Sequence, residues 1–415
     1  MNDKPLLSVI SQGCAANFGD GEKIARIFSR EYEVVFGNTE KTPDAFVLNV
    51  CTVKGNAGAI KLLRQALETA PDAKIYITGC TPKDFREEAL KISRNITFTN
   101  LKELGAPDSS QVLRQSPQVG IVNIEEGCLD ACAYCSTRLV KGRLNSFSAE
   151  SIVSQVKRLV ADGCREIQLT GQDCGCYGFD FYDTASGPKN LAELVQKILA
   201  EVTGDYRMRL GMGNPRHMIR YKDQLLECFK DPRVYKFIHL PVQSGSDAIL
   251  KAMNRKHSVQ DFVDLAKEIT AAYPRFTLST DLIVGFPGET DQDFEDTLKV
   301  LKETRPTVCN ITRFVSRPGT PASLMANAVP DAIKHQRSAQ LAEAFQQIAQ
   351  ENNSLWIGDT ETVTVEKSGY RKGTVIARDD AYRPVAIPGD YPAGARLTVR
   401  IINAEAFALI GEDLH

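Results

Sequence analysis

Three apolar stretches near the amino terminus end in the same way: "LLSVISQGC" at Cys14, "DAFVLNVC" at Cys51 and "AKIYITGC" at Cys80. Between them lie "GDGEKIARIFSREY" and "AGAIKLLRQALETA", whose apolar residues have helical spacing. Strands alternating with helices of about 10–15 residues predict a parallel, doubly wound sheet. In such a sheet, ligands gather just beyond the carboxyl ends of the strands. Each cysteine closes a strand and is followed by turn-forming or polar residues, so the fold brings three thiols from distant sequence to one edge. A buried core cysteine is the plain alternative for any one of them. Equivalent placement of all three favours a shared site.

The alternation resumes in six strand-like segments, "VGIVNIEEGC", "CREIQLTGQD", "YRMRLGMGNP", "VYKFIHLPVQSGS", "FTLSTDLIVGFPGET" and "VCNITRFVSRPGT". Helix-like stretches separate them, which predicts a partial (β/α)6 TIM-like barrel with functional residues at the carboxyl ends of its strands. Gly, Asp, Gln and Pro cluster at those ends. A polar, helix-prone connector follows, then short β-branched segments with close turns, the pattern of a small all-β barrel. The expected fold class is thus α/β multidomain. Its parts are a sheet domain over 1–115, a barrel over 118–330, a connector over 331–356 and a β-barrel over 357–415.

With 415 residues the chain exceeds one ordinary core, in keeping with two or three domains. No apolar run approaches the roughly 20 residues of a membrane span, and the amino terminus lacks a signal-like core. A cytoplasmic protein with no membrane partner is expected. Eleven cysteines there point to metal or catalysis rather than disulfides. A net charge of −2 leaves any polynucleotide binding to local basic stretches: "TRLVKGR", "NPRHMIRYK" and "SGYRKG". Arg371, Lys372, Arg378 and Arg383 are candidates in the last barrel, with a solvated charged surface as the alternative.

The stretch "EEGCLDACAYC" carries Cys128, Cys132 and Cys135 in the spacing C-x3-C-x2-C, and the next cysteine is Cys164. A structural zinc site takes four ligands, usually from two C-x2-C pairs. Three close thiolates suit an iron–sulfur cluster with one iron left open. A zinc ion completed by a remote His or Cys is the other reading.

A C-x3-C-x2-C loop after the first strand of an α/β barrel resembles the radical S-adenosylmethionine superfamily. Together with Cys14, Cys51, Cys80 and the last barrel, the whole chain resembles its methylthiotransferase family. "NVCTVK", "HLPVQSGSDAIL", "DLIVGFPGETDQDFEDTL" and "RPGTPA" match as well. "NVCTVKGNA", "RLGMGNPRHM" and "TGQDCGCYG" look most like the branch acting on N6-threonylcarbamoyladenosine in tRNA. Other branches act on isopentenyladenosine in tRNA or on a ribosomal protein aspartate. A non-catalytic, metal-containing RNA-binding protein is the reading from a different class.

The resemblance implies two [4Fe-4S] clusters, one on Cys128, Cys132 and Cys135 and an auxiliary one on Cys14, Cys51 and Cys80. It implies that the small barrel is a TRAM domain. It also implies methylthiolation of C2 of the adenosine beside the anticodon, at position 37, with two S-adenosylmethionine molecules, one as methyl donor and one as source of the 5′-deoxyadenosyl radical. The partners implied are the tRNA anticodon loop and a low-potential electron donor such as ferredoxin or flavodoxin. Tyr134 stands where an aromatic residue meets the cofactor. Gln172 and Asp173 are candidates for its amino group; Arg209, Gln243, Ser244 and Asp281 for its carboxylate or ribose, or for the target base. A structural hydrogen bond is the alternative for each. Cys174 and Cys176 read as lining residues, with a reactive role as the alternative, and Cys164, Cys228 and Cys309 as ordinary thiols. Glu289 reads as a helix start, and His239 as a structural histidine at the barrel mouth.

Overall fold

The computed structural model describes residues 4–52, 55–107, 113–181, 187–273 and 275–415; Val53 and Lys54 of "NVCTVK" lie outside them. Five parallel strands form the N-terminal sheet: β1 (Leu6–Ser11), β2 (Glu33–Phe36), β3 (Ala45–Val50), β4 (Lys74–Gly79) and β5 (Ile96–Phe98), in the order β2-β1-β3-β4-β5. The central strand β3 is buried at every position, which is why it reads as an unbroken apolar run. β2 and β5 were not anticipated, because an edge strand of four or three residues is too short to carry a period. The helix Ala57–Thr69 buries Ala59, Ile60, Leu62, Leu63 and Ala66, one apolar stripe laid on the sheet.

The six anticipated strands of the central domain are present. They form two parallel three-stranded sheets, β6 (Val119–Asn123), β9 (Glu166–Thr170), β10 (Arg207–Arg209), and β11 (Phe237–His239), β12 (Thr277–Val284), β13 (Val308–Arg313). Backbone bonds from Tyr235 to Met208 (3.0 Å) and from Gly213 to His239 (3.0 Å) join the halves into one open barrel. A short antiparallel pair, β7 (Glu125–Glu126) with β8 (Asn145–Ser146), leads into the cysteine loop. The sheet domain docks on β6. Asn123 donates to buried Asp20 at 2.8 Å, and a Cβ on Gly19 would lie 2.8 Å from Ile121.

Helix Asp291–Thr304 starts two residues past Glu289, with Thr290 as N-cap in a capping box with Asp293. Glu289 instead turns inward, accepting the Gly285 N–H (2.7 Å) and pairing with buried Arg337 (2.6 Å). Arg337 belongs to the connector helix Asp331–Ser354, so this pair fastens the connector to the barrel.

The last domain is a closed barrel, β14 (Thr360–Ser368), β15 (Thr374–Arg378), β16 (Pro384–Pro388), β17 (Arg396–Glu405) and β18 (Ala408–Asp413), in the order β14-β15-β16-β18-β17. It caps the amino end of the central barrel. Tyr382, held at φ +62°, donates to Glu166 at 2.9 Å and lies against Tyr235 and Phe237, with ring centroids 4.9 and 5.2 Å apart. Truncation to alanine is expected to destabilise the protein by about 3 kcal/mol. Tyr382→Phe, which keeps the ring, is expected to cost about 1 kcal/mol. Thermal unfolding of the two variants checks this, and an unshifted midpoint for Tyr382→Ala would contradict its packing role between the two barrels.

Candidate active site

The loops after β1, β3 and β4 converge because two glycines precede the cysteines. A Cβ on Gly13 (φ +104°) would lie 2.5 Å from Cβ of Cys51, and one on Gly79 (φ +89°) would lie 2.4 Å from the Val50 carbonyl oxygen. Asn17 staples the same loops, donating to the carbonyls of Gln12 (2.7 Å) and Val50 (3.0 Å). The Cys80 N–H meets the Val50 carbonyl at 2.9 Å, and the Thr52 hydroxyl donates to the Cys80 carbonyl at 3.0 Å. A hydrogen bond with Cys51, then burial, pushes the Cys80 thiol up, whereas Cys14 is exposed. A thiol raised in this way stays protonated unless a cation takes the proton's place.

The second set is braced from all sides. Gly127, at φ +86°, lets the loop pass against the Arg143 carbonyl. Its N–H donates to Gln172 at 2.7 Å. Ala133 bonds to Met253 on one side (2.9 Å) and accepts from Ala322 on the other (2.9 Å). Asp130, between Cys128 and Cys132, accepts from Asn214 (2.6 Å) and Arg216 (2.5 Å) and faces Nε2 of His217 at 3.2 Å. Burial alone would raise its carboxyl, but the His217 hydrogen bond and the charges of Arg216 and Arg255 hold it below the ordinary range. Arg255 reaches Sγ of Cys132 at 3.8 Å and is anchored on the Pro241 carbonyl at 2.6 Å. Burial pushes the thiols of Cys128 and Cys132 up.

One strap joins the two sets. Residues 317–320 form a type II turn with Pro318 second, Gly319 third (φ +81°) and a 3.2 Å bond from the Thr320 N–H to the Arg317 carbonyl. Beyond the turn lies the Ala322 bond to the Cys128–Cys135 loop. At its start, Arg317 donates to the Thr52 carbonyl at 2.5 Å. Its guanidinium feels Cys135 of one set and Cys51 and Cys80 of the other. Beside the strap opens a cleft of about 700 Å³ whose walls include Gly79 and Thr81, on either side of Cys80, Ser136, next to Cys135, and Pro318.

Residues 122–301 match the radical SAM superfamily, residues 7–99 an uncharacterized protein family, UPF0004, and residues 356–414 the TRAM domain. A probable threonylcarbamoyladenosine tRNA methylthiotransferase of Archaeoglobus fulgidus is 34% identical, over 98% of this chain and 98% of that protein. The chain belongs to the threonylcarbamoyladenosine tRNA methylthiotransferase family. A human member is 32% identical over 91% of this chain and 68% of its own length. The fold also resembles the radical S-adenosylmethionine methyltransferase TsrM of Kitasatospora setae (TM-score 0.52, 12% identity, 77% of this chain and 75% of that one). Family membership carries S-adenosylmethionine and a [4Fe-4S] cluster with it.

The donors at Cys128, Cys132 and Cys135 fit such a cluster. Among the described residues, only Asp173, Cys176 and His217 bring three ligand atoms within 4.8 Å of one another. Neither cysteine set is drawn that tight, and the three close thiols of Cys128, Cys132 and Cys135 are the donor type such a cluster takes. The tight trio is a hydrogen-bonded brace: Asp173 accepts from Gly175 (3.1 Å) and Asn214 (2.9 Å), and Cys176 donates to the Asp173 carbonyl at 3.1 Å. Cys174 and Cys176 are fully buried.

The remaining candidates of the family's cofactor site divide in two. Tyr134 is part of the cysteine loop, and Gln172 and Asp173 accept from backbone N–H groups. Gln243, at φ +77°, donates its N–H to the Asp281 carbonyl at 2.8 Å, a strained backbone at the barrel mouth. The buried Ser244 hydroxyl accepts from Ser246 at 3.2 Å. Asp281 accepts from His239 (2.9 Å) and Asn310 (2.7 Å), which makes His239 a hydrogen-bonded structural residue. Arg209 lies apart, over the rings of Phe237 (4.7 Å) and Tyr382 (5.3 Å). In the TRAM barrel, Arg378 pairs with Glu366 at 2.8 Å and buried Arg383 stacks over Trp356 at 4.4 Å, so both are packing residues. Arg371 and Lys372 are exposed. Asp130, Arg255 and Arg317 were not singled out from sequence, although Asp130 lies inside the cysteine loop and Arg317 opens "RPGTPA".

Proposed function

We propose that this protein methylthiolates C2 of N6-threonylcarbamoyladenosine at position 37 of tRNA, using two S-adenosylmethionine molecules and two [4Fe-4S] clusters. The observation that carries this reading is that the Arg317 strap links the loops of both cysteine sets, beside a cleft whose walls include neighbours of Cys80 and Cys135. When bound at Cys128, Cys132 and Cys135, a cluster with an open iron supplies the electron that cleaves S-adenosylmethionine, chemistry no side chain provides. Cys14, Cys51 and Cys80 would hold the auxiliary cluster, which would supply the site for sulfur insertion.

The chain's own residues do the positioning. Asp130, Arg255 and the Ala133 backbone bonds fix the cysteine loop against the barrel mouth. Tyr134, Gln172, Asp173, Gln243, Ser244 and Asp281 form the surroundings of the S-adenosylmethionine, Gln172 and Asp173 acting through the backbone they brace. The strap sets the gap that the base must enter. An anticodon-loop adenine is single-stranded and free to be splayed out into such a gap. Arg371 and Lys372 offer the TRAM domain's phosphate contacts, with salt-dependent affinity. A ferredoxin or flavodoxin in a reducing cytosol suits a chain whose eleven cysteines form no disulfide among the described residues.

Product counting tests the two-cofactor scheme. Each methylthio group is expected to be accompanied by one S-adenosylhomocysteine and one 5′-deoxyadenosine. S-adenosylhomocysteine without RNA-dependent 5′-deoxyadenosine would reduce the protein to a methyltransferase and refute the scheme.

A further inference from the structure

The cleft beside the strap holds a guanidinium with no carboxylate partner among the described residues. Arg86 lines it, exposed to solvent yet held in place. Its Nε donates to the Thr81 carbonyl at 3.0 Å, its Nη2 to the Thr81 hydroxyl at 3.0 Å, and its plane lies over the Phe98 ring at 5.1 Å. A guanidinium fixed by two bonds and a ring loses little freedom on gripping an anion. Lys102, on the same wall, also has no ion-pair partner among the described residues. On the opposite wall the charges are already matched: Lys141 pairs with Asp20 at 3.0 Å and Glu126 at 3.8 Å.

We infer that this cleft takes the N6 substituent of the target base and that Arg86, aided by Lys102, pairs with its carboxylate. The inference rests on the function proposed above and identifies what would select its substrate. In adenine, C2 and C6 flank the same ring nitrogen. A base with C2 turned to the cysteines therefore projects its N6 group from the adjoining edge, beside the residues that follow Cys80. Thr81 is such a residue, and it is the one that holds Arg86. A threonylcarbamoyl group ends in a carboxylate and meets a waiting guanidinium there. An uncharged isopentenyl group leaves it unpaired, which is selection by the cost of an unmet polar group.

The test uses the whole, cluster-loaded protein and three anticodon stem-loops, carrying threonylcarbamoyladenosine, the same nucleoside with its carboxylate amidated, or plain adenosine. Binding is read by fluorescence anisotropy. Arg86→Gln is expected to weaken binding of the first stem-loop about 10- to 100-fold, with the other two unchanged and Arg86→Lys recovering part of the loss. Iron per chain and the melting temperature check that the variants are folded. Equal weakening of all three stem-loops would mean a phosphate contact and overturn the inference, as would no weakening at all. Product formation by the unsubstituted protein is followed alongside. Product without Arg86-dependent discrimination sinks this inference alone, whereas no product from threonylcarbamoyladenosine sinks the proposed function itself.

Discussion

Alanine in place of Cys14, Cys51 or Cys80 is expected to drop methylthio product below detection while S-adenosylmethionine is still cleaved. The physical reason is the separation of the two sets. Each is built by its own domain, with its own glycines and backbone bonds, and the loop carrying Cys128, Cys132 and Cys135 takes its side-chain bracing from Asn214, Arg216 and Arg255 of the barrel. With the two clusters proposed above, iron content is expected to fall by about half. The checks are iron per chain and 5′-deoxyadenosine formed by each variant. Loss of cleavage together with product would contradict the division of labour.

Asp130 carries the second large effect. It is a positioning residue: its carboxylate ties the cysteine loop to Asn214, Arg216 and His217. Asp130→Ala leaves the buried His217 and the half-buried Arg216 without that acceptor and frees the loop. Groups that orient metal ligands from behind are commonly worth about 10- to 100-fold in metal affinity. The expected result is cluster loss to a chelator faster by that order, from the barrel site alone, with the auxiliary cluster's spectrum retained. Asp130→Asn, which keeps the shape and one acceptor, should lie between. Equal loss from both sites would point to general unfolding instead.

How far this site can be read from sequence depends on how local its parts are. The strands that end at Cys14, Cys51 and Cys80 are legible because parallel strands buried on both faces read as apolar runs, and the sheet rule then places their ends together. The three-cysteine loop is legible because its spacing is local. Asp130 is not, since its partners lie 84 to 87 residues downstream and nothing in "LDAC" announces them. The same holds for Arg317, whose partner Thr52 lies 265 residues away. The basic residues of the last barrel show the opposite failure. They are visible as charge, yet Arg378 and Arg383 are turned to packing by a pair with Glu366 and a stack on Trp356. Tyr382 is an unremarkable turn residue in sequence and becomes a packing residue only when two domains meet.

The central claim is that two cysteine sets cooperate on a threonylcarbamoyl-modified adenosine. The most direct measurement is anaerobic reconstitution with iron, sulfide, S-adenosylmethionine, a reductant and tRNA carrying that nucleoside, followed by digestion and mass spectrometry. The predicted result is a 2-methylthio derivative that disappears with Cys128→Ala and with Cys51→Ala. A fully loaded protein that cleaves S-adenosylmethionine and leaves the nucleoside unmodified would contradict the claim.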